Sequence, residues 1–136
     1  MKKYKGLILV FMISICLFGF CGCNGGKSQT EETNSYEQIS SQQAKEIMDK
    51  ETGYIIVDAR TQEEFDEGHI EGAIMIPEYE ISQKAEKELP DKDQLILVYC
   101  RSGRRSKIAS QALVDLGYTN VKEFGGIIDW PYEIVK

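Results

Sequence analysis

A cysteine followed by small and cationic residues is the part of this chain best suited to chemistry. The stretch 100–106 reads Cys-Arg-Ser-Gly-Arg-Arg-Ser, and it follows an apolar, β-branched run at 95–99 that predicts a strand buried on both faces. Apolar residues at helical spacing come next and end at Gly117, which is typical of a helix and its C-terminal glycine. Cys100 is therefore predicted at the carboxyl end of a strand, where open α/β sheets bind ligands.

This loop is predicted to attract anions and to activate a thiol. The first amides of a helix have no intrahelical partners, and the helix dipole places roughly half a positive charge there. Arg101, Arg104 and Arg105 add positive charge, and Gly103 lets the backbone turn tightly. We expect the Cys100 thiol to ionise below its ordinary pKa of about 8.5 and to act as a nucleophile. The alternative is a free cysteine that only ends a buried strand.

The first residues resemble the signal peptide of a bacterial lipoprotein. Three lysines precede an apolar run from Leu7 to Phe20, which is short for a membrane span but typical of a signal-peptide core. Cys23 follows Gly22 and is the predicted lipidation site, whereas Cys21 follows the bulky Phe20. A retained N-terminal anchor helix is the alternative. Either interpretation predicts a domain tethered to the cell membrane on its extracytoplasmic face.

Three segments follow from this interpretation: a lipoprotein-type signal peptide at 1–22, a flexible polar tether at 23–35 and one folded domain at 36–136. Removing residues 1–22 takes away three of the 16 basic residues and none of the 22 acidic ones, so the net charge falls from −6 to −9. Nucleic acid is therefore excluded as a partner. Of four cysteines, Cys100 remains as the only free thiol, with no cluster that predicts a metal site and no predicted cofactor.

The folded part predicts an alternation of helices and strands. Ser40 and Gln43 form a capping box for a first helix, and Thr61 is placed to cap a short second helix. Strands are predicted at 54–57, 73–76, 95–99 and 121–124, a surface helix at 78–88, and a terminal helix that carries Ile127, Ile128 and Trp130. The fold class is α/β, a single domain with a parallel sheet covered on both faces.

Three stretches of this domain form a recognisable set. They are the segment from Val57-Asp58-Ala59-Arg60 to Ile76-Pro77, the loop 100–106, and Gly125-Gly126-Ile127 with Trp130. Together they resemble the small single-domain rhodaneses, which are sulfurtransferases, and the loop fits that family's pattern C-R-x-G-x-R-[S/T]. The resemblance implies a five-stranded parallel sheet with helices on both faces and a cysteine loop wrapped around the reacting sulfur. It also implies transfer of a sulfane sulfur from a donor such as thiosulfate, through a cysteine persulfide, to a thiol or cyanide.

The resemblance implies a role for each loop residue. Cys100 is the nucleophile, and the amides of the loop, to which Ser102 and Gly103 belong, would stabilise the anionic persulfide. Arg101 and Arg105 lie at the family's arginine positions and would bind an anionic donor. Arg104 lies at the variable position and would steer anions, and Ser106 would cap the helix or bond within the loop.

Four residues outside the loop need separate interpretations. Asp58 is expected to support the loop from the end of its strand, with Arg60 paired either to Asp58 or to Glu64. His69 is interpreted as part of a structural turn rather than as a catalytic base, since a lone histidine is usually a packing residue. Trp130 is expected to pack in the core rather than to form a substrate platform.

Three other functions are compatible with the sequence. Phosphatases of the same fold have five residues between cysteine and arginine, whereas four separate Cys100 from Arg105, which disfavours a phosphate ester. A non-catalytic binding or redox-sensing module at the outer face of the membrane is the main alternative, with an envelope redox protein as its partner. Thiol-disulfide exchange is the third, and the lack of a resolving cysteine disfavours it. The physiological sulfur donor and acceptor are not encoded in any recognisable motif.

Overall fold

A computed structural model describes residues 35–136 of the chain. The predicted signal peptide, the lipidation site Cys23 and nearly all of the predicted tether lie outside the described residues. Within residues 35–136, no helix is both long and apolar enough to cross a membrane.

Five parallel strands form one sheet in the order β1-β5-β4-β2-β3. The strands are β1 Glu37–Gln38, β2 Ile55–Asp58, β3 Ala73–Met75, β4 Ile96–Cys100 and β5 Val121–Gly126. The helices are α1 Ser41–Lys50, α2 Gln62–Glu67, α3 Ile81–Glu88 and α4 Arg104–Asp115, and 3₁₀ turns lie at Glu78–Glu80 and Ile127–Asp129. The predicted α/β class and five-stranded parallel sheet are confirmed.

The two faces of the sheet carry separate apolar clusters. One contains Ile81 of α3 and Leu113 of α4, which pack with inward residues of the strands such as Val57 and Val98. The other packs Ala44 of α1 against the opposite face and contains Leu97, Tyr99, Phe124 and Trp130. Because side chains alternate along a strand, β4 contributes to both clusters, and all five of its residues are buried. This is the pattern that an uninterrupted apolar strand predicts.

Two helices begin at the N-caps that the sequence predicts, Ser40 and Thr61. Ser40 Oγ accepts a hydrogen bond from the Gln43 amide at 3.1 Å, and the Gln43 side chain accepts one from the Ser40 amide at 2.9 Å. Thr61 and Glu64 make the same reciprocal pair at the start of α2, at 3.3 and 3.1 Å. These caps fix where α1 and α2 begin, and so they fix the loops that precede them.

The predicted terminal helix is wrong. After β5 the chain makes only the 3₁₀ turn Ile127–Asp129, and Trp130 is extended with φ −82° and ψ 108°. Pro131 is the cause, since a proline disfavours the helical conformation in the residue before it. The chain then runs back along His69, whose backbone pairs with that of Val135.

Candidate active site

The loop that follows β4 holds Cys100 at the end of the sheet. Cys100 is the last residue of β4 and only 1% exposed, and α4 begins at Arg104. Gly103 is the residue before the helix and has a φ of 96°, a conformation that favours glycine. The loop therefore turns within three residues and directs the first amides of α4 back toward the sulfur.

The Cys100 sulfur lies among hydrogen-bond donors. The Gly103 amide donates to Sγ at 3.1 Å, and Ser106 Oγ lies 3.4 Å from Sγ. Burial opposes ionisation of the thiol, but hydrogen bonds from the Ser106 hydroxyl and from the amides of Ser106, Gly103 and Ser102 outweigh it and lower the pKa of Cys100. A thiolate, or another anionic sulfur on Cys100, is stabilised in this cradle.

The end of β5 supports the loop from behind. Val98 of β4 pairs with Glu123 of β5, but Cys100, two residues later, pairs with Gly126, three residues later. The one extra residue makes a bulge in β5 at Gly125, which has a φ of 90°. A Cβ at Gly126 would lie 2.1 Å from the carbonyl oxygen of Arg101. The glycine pair is therefore required for the loop to pack against β5.

The three arginines of the loop have different surroundings. Arg105 is held by Glu64 of α2, whose two carboxylate oxygens accept from the guanidinium at 2.6 and 2.7 Å. Arg101 and Arg104 are exposed. The carbonyl oxygen of Arg101 accepts a hydrogen bond from the Ile128 amide at 3.2 Å, which fixes its backbone. Two solvent-facing guanidinium groups thus flank the loop, and a third is paired with a carboxylate beside it.

Ser106 and a carboxylate that sequence reasoning missed complete the surroundings of the sulfur. Ser106 is fully buried, and its Oγ lies 2.6 Å from Glu123 Oε1 and 3.1 Å from the Gly103 carbonyl oxygen. Glu123 is 3% exposed and points to the same side of the sheet as Cys100. The signal was present in the sequence: in the strand at 121–124, Glu123 lies two residues after Val121 and so shares its inward face.

Asp58 and Arg60 lie at the end of β2 but support a different region. The Asp58 carboxylate accepts hydrogen bonds from the Arg60 guanidinium and from the Tyr99 hydroxyl, the latter at 2.5 Å. Arg60 also donates to the carbonyl oxygen of Gly68 at 2.7 Å, and the Tyr99 hydroxyl accepts from the Ile70 amide. Asp58 thus holds the turn before β3, and its hydrogen bonds within residues 35–136 do not reach the loop 100–106.

His69 lies in that turn. Its ring stacks on Phe65 with the ring centroids 3.7 Å apart, and Nδ1 lies 3.0 Å from the Phe65 carbonyl oxygen. Its backbone makes two hydrogen bonds with Val135, of 2.9 and 2.8 Å. These contacts tie α2 to the last residues of the chain. The histidine ring packs against Phe65 and not against Cys100.

Known proteins have sequences similar to that of this chain. A family model for a rhodanese-like domain matches residues 40–131. The thiosulfate sulfurtransferase PspE of Escherichia coli is 38% identical over 80 residues, which are 59% of this chain and 77% of that protein. The thiosulfate sulfurtransferase GlpE of Coxiella burnetii is 34% identical over 96 residues, 70% of this chain and 87% of that protein. A putative sulfur carrier protein, YrkF of Bacillus subtilis, is 33% identical, but the match spans only 57% of its length.

Solved structures agree with these sequence matches. A rhodanese from Escherichia coli with bound anions superposes with a TM-score of 0.58 at 36% identity, covering 61% of this chain and 98% of that one. A rhodanese-related protein from Thermoplasma volcanium gives a TM-score of 0.64 at 32% identity, covering 74% and 98%. The chain therefore belongs to the rhodanese-like family.

Proposed function

We propose that this protein is a sulfurtransferase that moves a sulfane sulfur through a persulfide on Cys100. The proposal is supported by one observation above the others: a buried cysteine sulfur lies 3.1 Å from the Gly103 amide in a loop that lowers the pKa of its thiol. Membership of the rhodanese-like family and similarity to two thiosulfate sulfurtransferases support it further.

The proposed reaction has two displacements. In the first, the Cys100 thiolate attacks the outer sulfur of a donor such as thiosulfate, a new S–S bond forms, and sulfite leaves with the electron pair of the broken bond. In the second, an acceptor such as cyanide or a thiolate attacks the outer sulfur of the persulfide, and the Cys100 thiolate is regenerated. A covalent intermediate divides one difficult transfer into two easier ones.

The chain's own groups act at each stage. The amides of Ser102, Gly103 and Ser106 would stabilise the negative charge on sulfur in the thiolate and in the persulfide, as donors do in an oxyanion-type site. Arg101 and Arg104 are exposed beside the loop and would attract an anionic donor, and Arg105 would orient it from its place beside Glu64.

The test is a mass measurement on the full chain. After incubation with thiosulfate, we expect a gain of one sulfur, about 32 Da, on the tryptic peptide 93–101 that carries Cys100. Cyanide should remove that mass and yield thiocyanate, and Cys100→Ser should do neither. A Cys100 thiol that is alkylated readily but gains no sulfur from thiosulfate or polysulfide would contradict the proposal and favour a binding or redox-sensing module.

We also propose that the protein is anchored to the extracytoplasmic face of the membrane through a lipid on Cys23. The support comes from the sequence alone: three early lysines, an apolar run and Cys23 after Gly22, followed by a polar stretch. Cells that produce the full chain should incorporate labelled fatty acid into it, and Cys23→Ala should abolish the label. Cys21→Ala is the matched control, and a chain that carries no lipid label would contradict the anchor.

A further inference from the structure

A cavity of about 840 Å³ lies on the face of the sheet opposite to Cys100. Residues of α1 and of the segment 130–133 line it, together with Ile56 of β2 and Ile70. Ile56 and Ile70 belong to the apolar cluster that contains Ala44 of α1, whereas Cys100 belongs to the cluster of the other face. Among the described residues, those of the cysteine loop do not line the cavity, so it is separate from the site proposed for sulfur transfer. Its volume falls within the roughly 300–1,000 Å³ that small-molecule sites occupy.

Three aromatic side chains line this cavity, those of Tyr54, Trp130 and Tyr132. The ring centroids of Trp130 and Tyr132 lie 4.9 Å apart with the ring planes at 70°, which is an edge-to-face arrangement. The Tyr54 hydroxyl donates a hydrogen bond to the Met48 carbonyl oxygen at 3.1 Å, which attaches that ring to α1. Because the faces of aromatic rings carry negative potential, a cavity that they line suits a cation with apolar substituents better than it suits an anion.

The C-terminal wall of the cavity is held in place before any ligand arrives. The Trp130 indole N–H donates a hydrogen bond to the Glu133 carbonyl oxygen at 3.3 Å, which closes the segment 130–133 into a tight loop. Two residues further on, the backbone of Val135 makes two hydrogen bonds with that of His69, of 2.9 and 2.8 Å. A ligand therefore does not have to order this segment, and such preorganisation lowers the free-energy cost of binding.

Four charged side chains line the cavity, and three of them are acidic. Asp49, Glu71 and Glu133 supply three negative charges and Lys45 supplies one positive charge, which leaves a net charge of −2. Lys45 pairs with Asp49, and its Nζ lies 5.6 Å from the centroid of the Tyr132 ring, a cation–π contact. Within residues 35–136, neither Glu71 nor Glu133 takes part in an ion pair. The cavity thus already accommodates one cation of the chain itself, and two of its carboxylates have no cationic partner.

We propose that this cavity binds a small organic cation, an ammonium ion that carries an aromatic or branched apolar group. The apolar group is buried against the isoleucine and aromatic side chains, and the positive charge is stabilised by the ring faces and the unpaired carboxylates. A neutral molecule of the same shape gains only the burial, and an anion is repelled by the net charge of the lining. The proposal does not depend on the sulfur-transfer function, because it concerns the other face of the sheet.

Trp130 makes the test direct, because it is the only tryptophan in the sequence and it lines the cavity. The full chain is titrated with phenyltrimethylammonium while the tryptophan emission is recorded. The same titration is made with tert-butylbenzene, which has the same shape without the charge, and with the anion benzoate. We expect a saturable change with phenyltrimethylammonium at a roughly tenfold lower concentration than with tert-butylbenzene, and no saturable change with benzoate.

Two substitutions test the source of the selectivity. Tyr132→Leu keeps an apolar side chain but removes the ring face, so it should weaken the binding of phenyltrimethylammonium several-fold more than that of tert-butylbenzene. Lys45→Met removes the cation that already lies over the Tyr132 ring and makes the net charge of the lining more negative, so it should tighten the binding of phenyltrimethylammonium several-fold. Tyr79→Leu is the matched control, because Tyr79 is 66% exposed and does not line the cavity, and it should bind both molecules as the wild type does.

A measurement on the unsubstituted chain covers the case in which a variant does not fold. Phenyltrimethylammonium should shift the amide NMR signals of residues 45–49 and 130–133 but not those of 100–106, and it should leave the rate at which iodoacetamide alkylates Cys100 unchanged. Equal affinity for the charged and the neutral molecule overturns the proposal, since the cavity would then select only for apolar groups. Signal shifts confined to residues 100–106 also overturn it. So does the absence of any saturable response in the full chain, the result expected if a second copy or another segment of the chain covers the cavity.

Discussion

Both carboxylate oxygens of Glu64 in α2 accept hydrogen bonds from the guanidinium of Arg105 in α4, at 2.6 and 2.7 Å. The same carboxylate also accepts from the Thr61 amide and so caps its own helix. The pair is only partly exposed, with 22% of the Arg105 side chain and 25% of the Glu64 side chain open to solvent. It joins the start of α2 to the first turn of α4, directly after the cysteine loop, and two-point pairing holds the arginine in one orientation.

This pair makes stability depend on pH in the acid range. The hydrogen bonds from Arg105, acting against burial and together with that from Thr61, lower the pKa of Glu64 from 4.5 to about 2. A carboxylate with a lowered folded-state pKa contributes stability above its unfolded pKa and loses it as the pH falls. The wild-type protein should therefore lose stability between about pH 4.5 and 2 that Glu64→Gln does not lose. Urea denaturation across this range measures the difference.

The glutamine variant is a fair comparison because its side-chain oxygen can still accept from the Thr61 amide and keep the capping box. Glu63→Gln, one residue earlier and exposed, serves as the control for removing a charge from α2. If the stability of wild type and Glu64→Gln fell in parallel below pH 4.5, the pair would contribute no measurable free energy.

Removing the charge of Asp58 should damage the fold and spare the thiol. Asp58 is fully buried, and Asp58→Asn would leave the buried Arg60 guanidinium without its counter-charge, which typically costs about 3–5 kcal/mol of unfolding free energy. Tyr99→Phe removes only the hydroxyl that Asp58 accepts from and should cost about 1–3 kcal/mol. Denaturant unfolding measures the two losses.

Cys100 alkylation distinguishes a structural Asp58 from one that acts in the site. Its rate in Asp58→Asn should match the wild type at temperatures where the variant is folded, since the side chain of Asp58 lies on the opposite face of the sheet. A variant that keeps its stability but loses thiol reactivity would make Asp58 part of the active site.

Local features of this fold could be read from the sequence, and long-range contacts could not. The capping box at Ser40 and the N-cap at Thr61 depend on residues close in sequence, and a strand buried on both faces is indicated by an unbroken apolar run. The sequence leaves Arg60 paired with either Asp58 or Glu64, and the structure pairs it with Asp58. The partner of Glu64 is Arg105, which is 41 residues away and meets it only through the order of the strands in the sheet.

The same limit applies to Glu123: the alternation of the strand places its side chain on the inward face, but it does not place it next to Ser106. Its contact with Ser106 spans 17 residues and depends on the one-residue bulge that shifts the register between β4 and β5. The glycine pair at 125–126 indicates a special backbone at the end of β5, but it does not indicate that the Glu123 carboxylate lies there. The prediction of a C-terminal helix is wrong for a local reason. The apolar spacing of Ile127, Ile128 and Trp130 favours a helix, but Pro131 directly after Trp130 disfavours it.

Replacing His69 should lower stability without changing the chemistry. His69→Ala loses the stacking on Phe65 and the contact between Nδ1 and the Phe65 carbonyl oxygen, which together are worth about 1–2 kcal/mol. The thermal midpoint should fall, whereas the rate of the proposed sulfur transfer at 25 °C should stay within about twofold of the wild type. His69→Asn, which keeps a polar group near the Phe65 carbonyl, should be intermediate in stability. A variant that keeps its melting temperature yet loses turnover would contradict the structural assignment.

Adding a single methyl group at Gly126 should displace the cysteine loop. A Cβ there would lie 2.1 Å from the Arg101 carbonyl oxygen and 2.6 Å from Ser102 Cα, and all of these are backbone atoms that cannot rotate away. Gly126 has a φ of −127°, which any residue can adopt, so the effect of Gly126→Ala comes from contact rather than from backbone strain. Overpacking of this kind typically costs about 1–3 kcal/mol, and backbone atoms place it at the upper end.

Gly53→Ala is the matched control for this prediction. Gly53 has a φ of 77°, and no atom lies within 4 Å of an added Cβ. Gly53→Ala should therefore lower the unfolding free energy only by the cost of a left-handed backbone, about 1 kcal/mol. Only Gly126→Ala should also slow Cys100 alkylation at pH 7, because moving Arg101 and Ser102 removes the Gly103 amide from its place 3.1 Å from the sulfur. Equal alkylation rates in the two variants would mean that β5 supports the fold without setting the geometry of the loop.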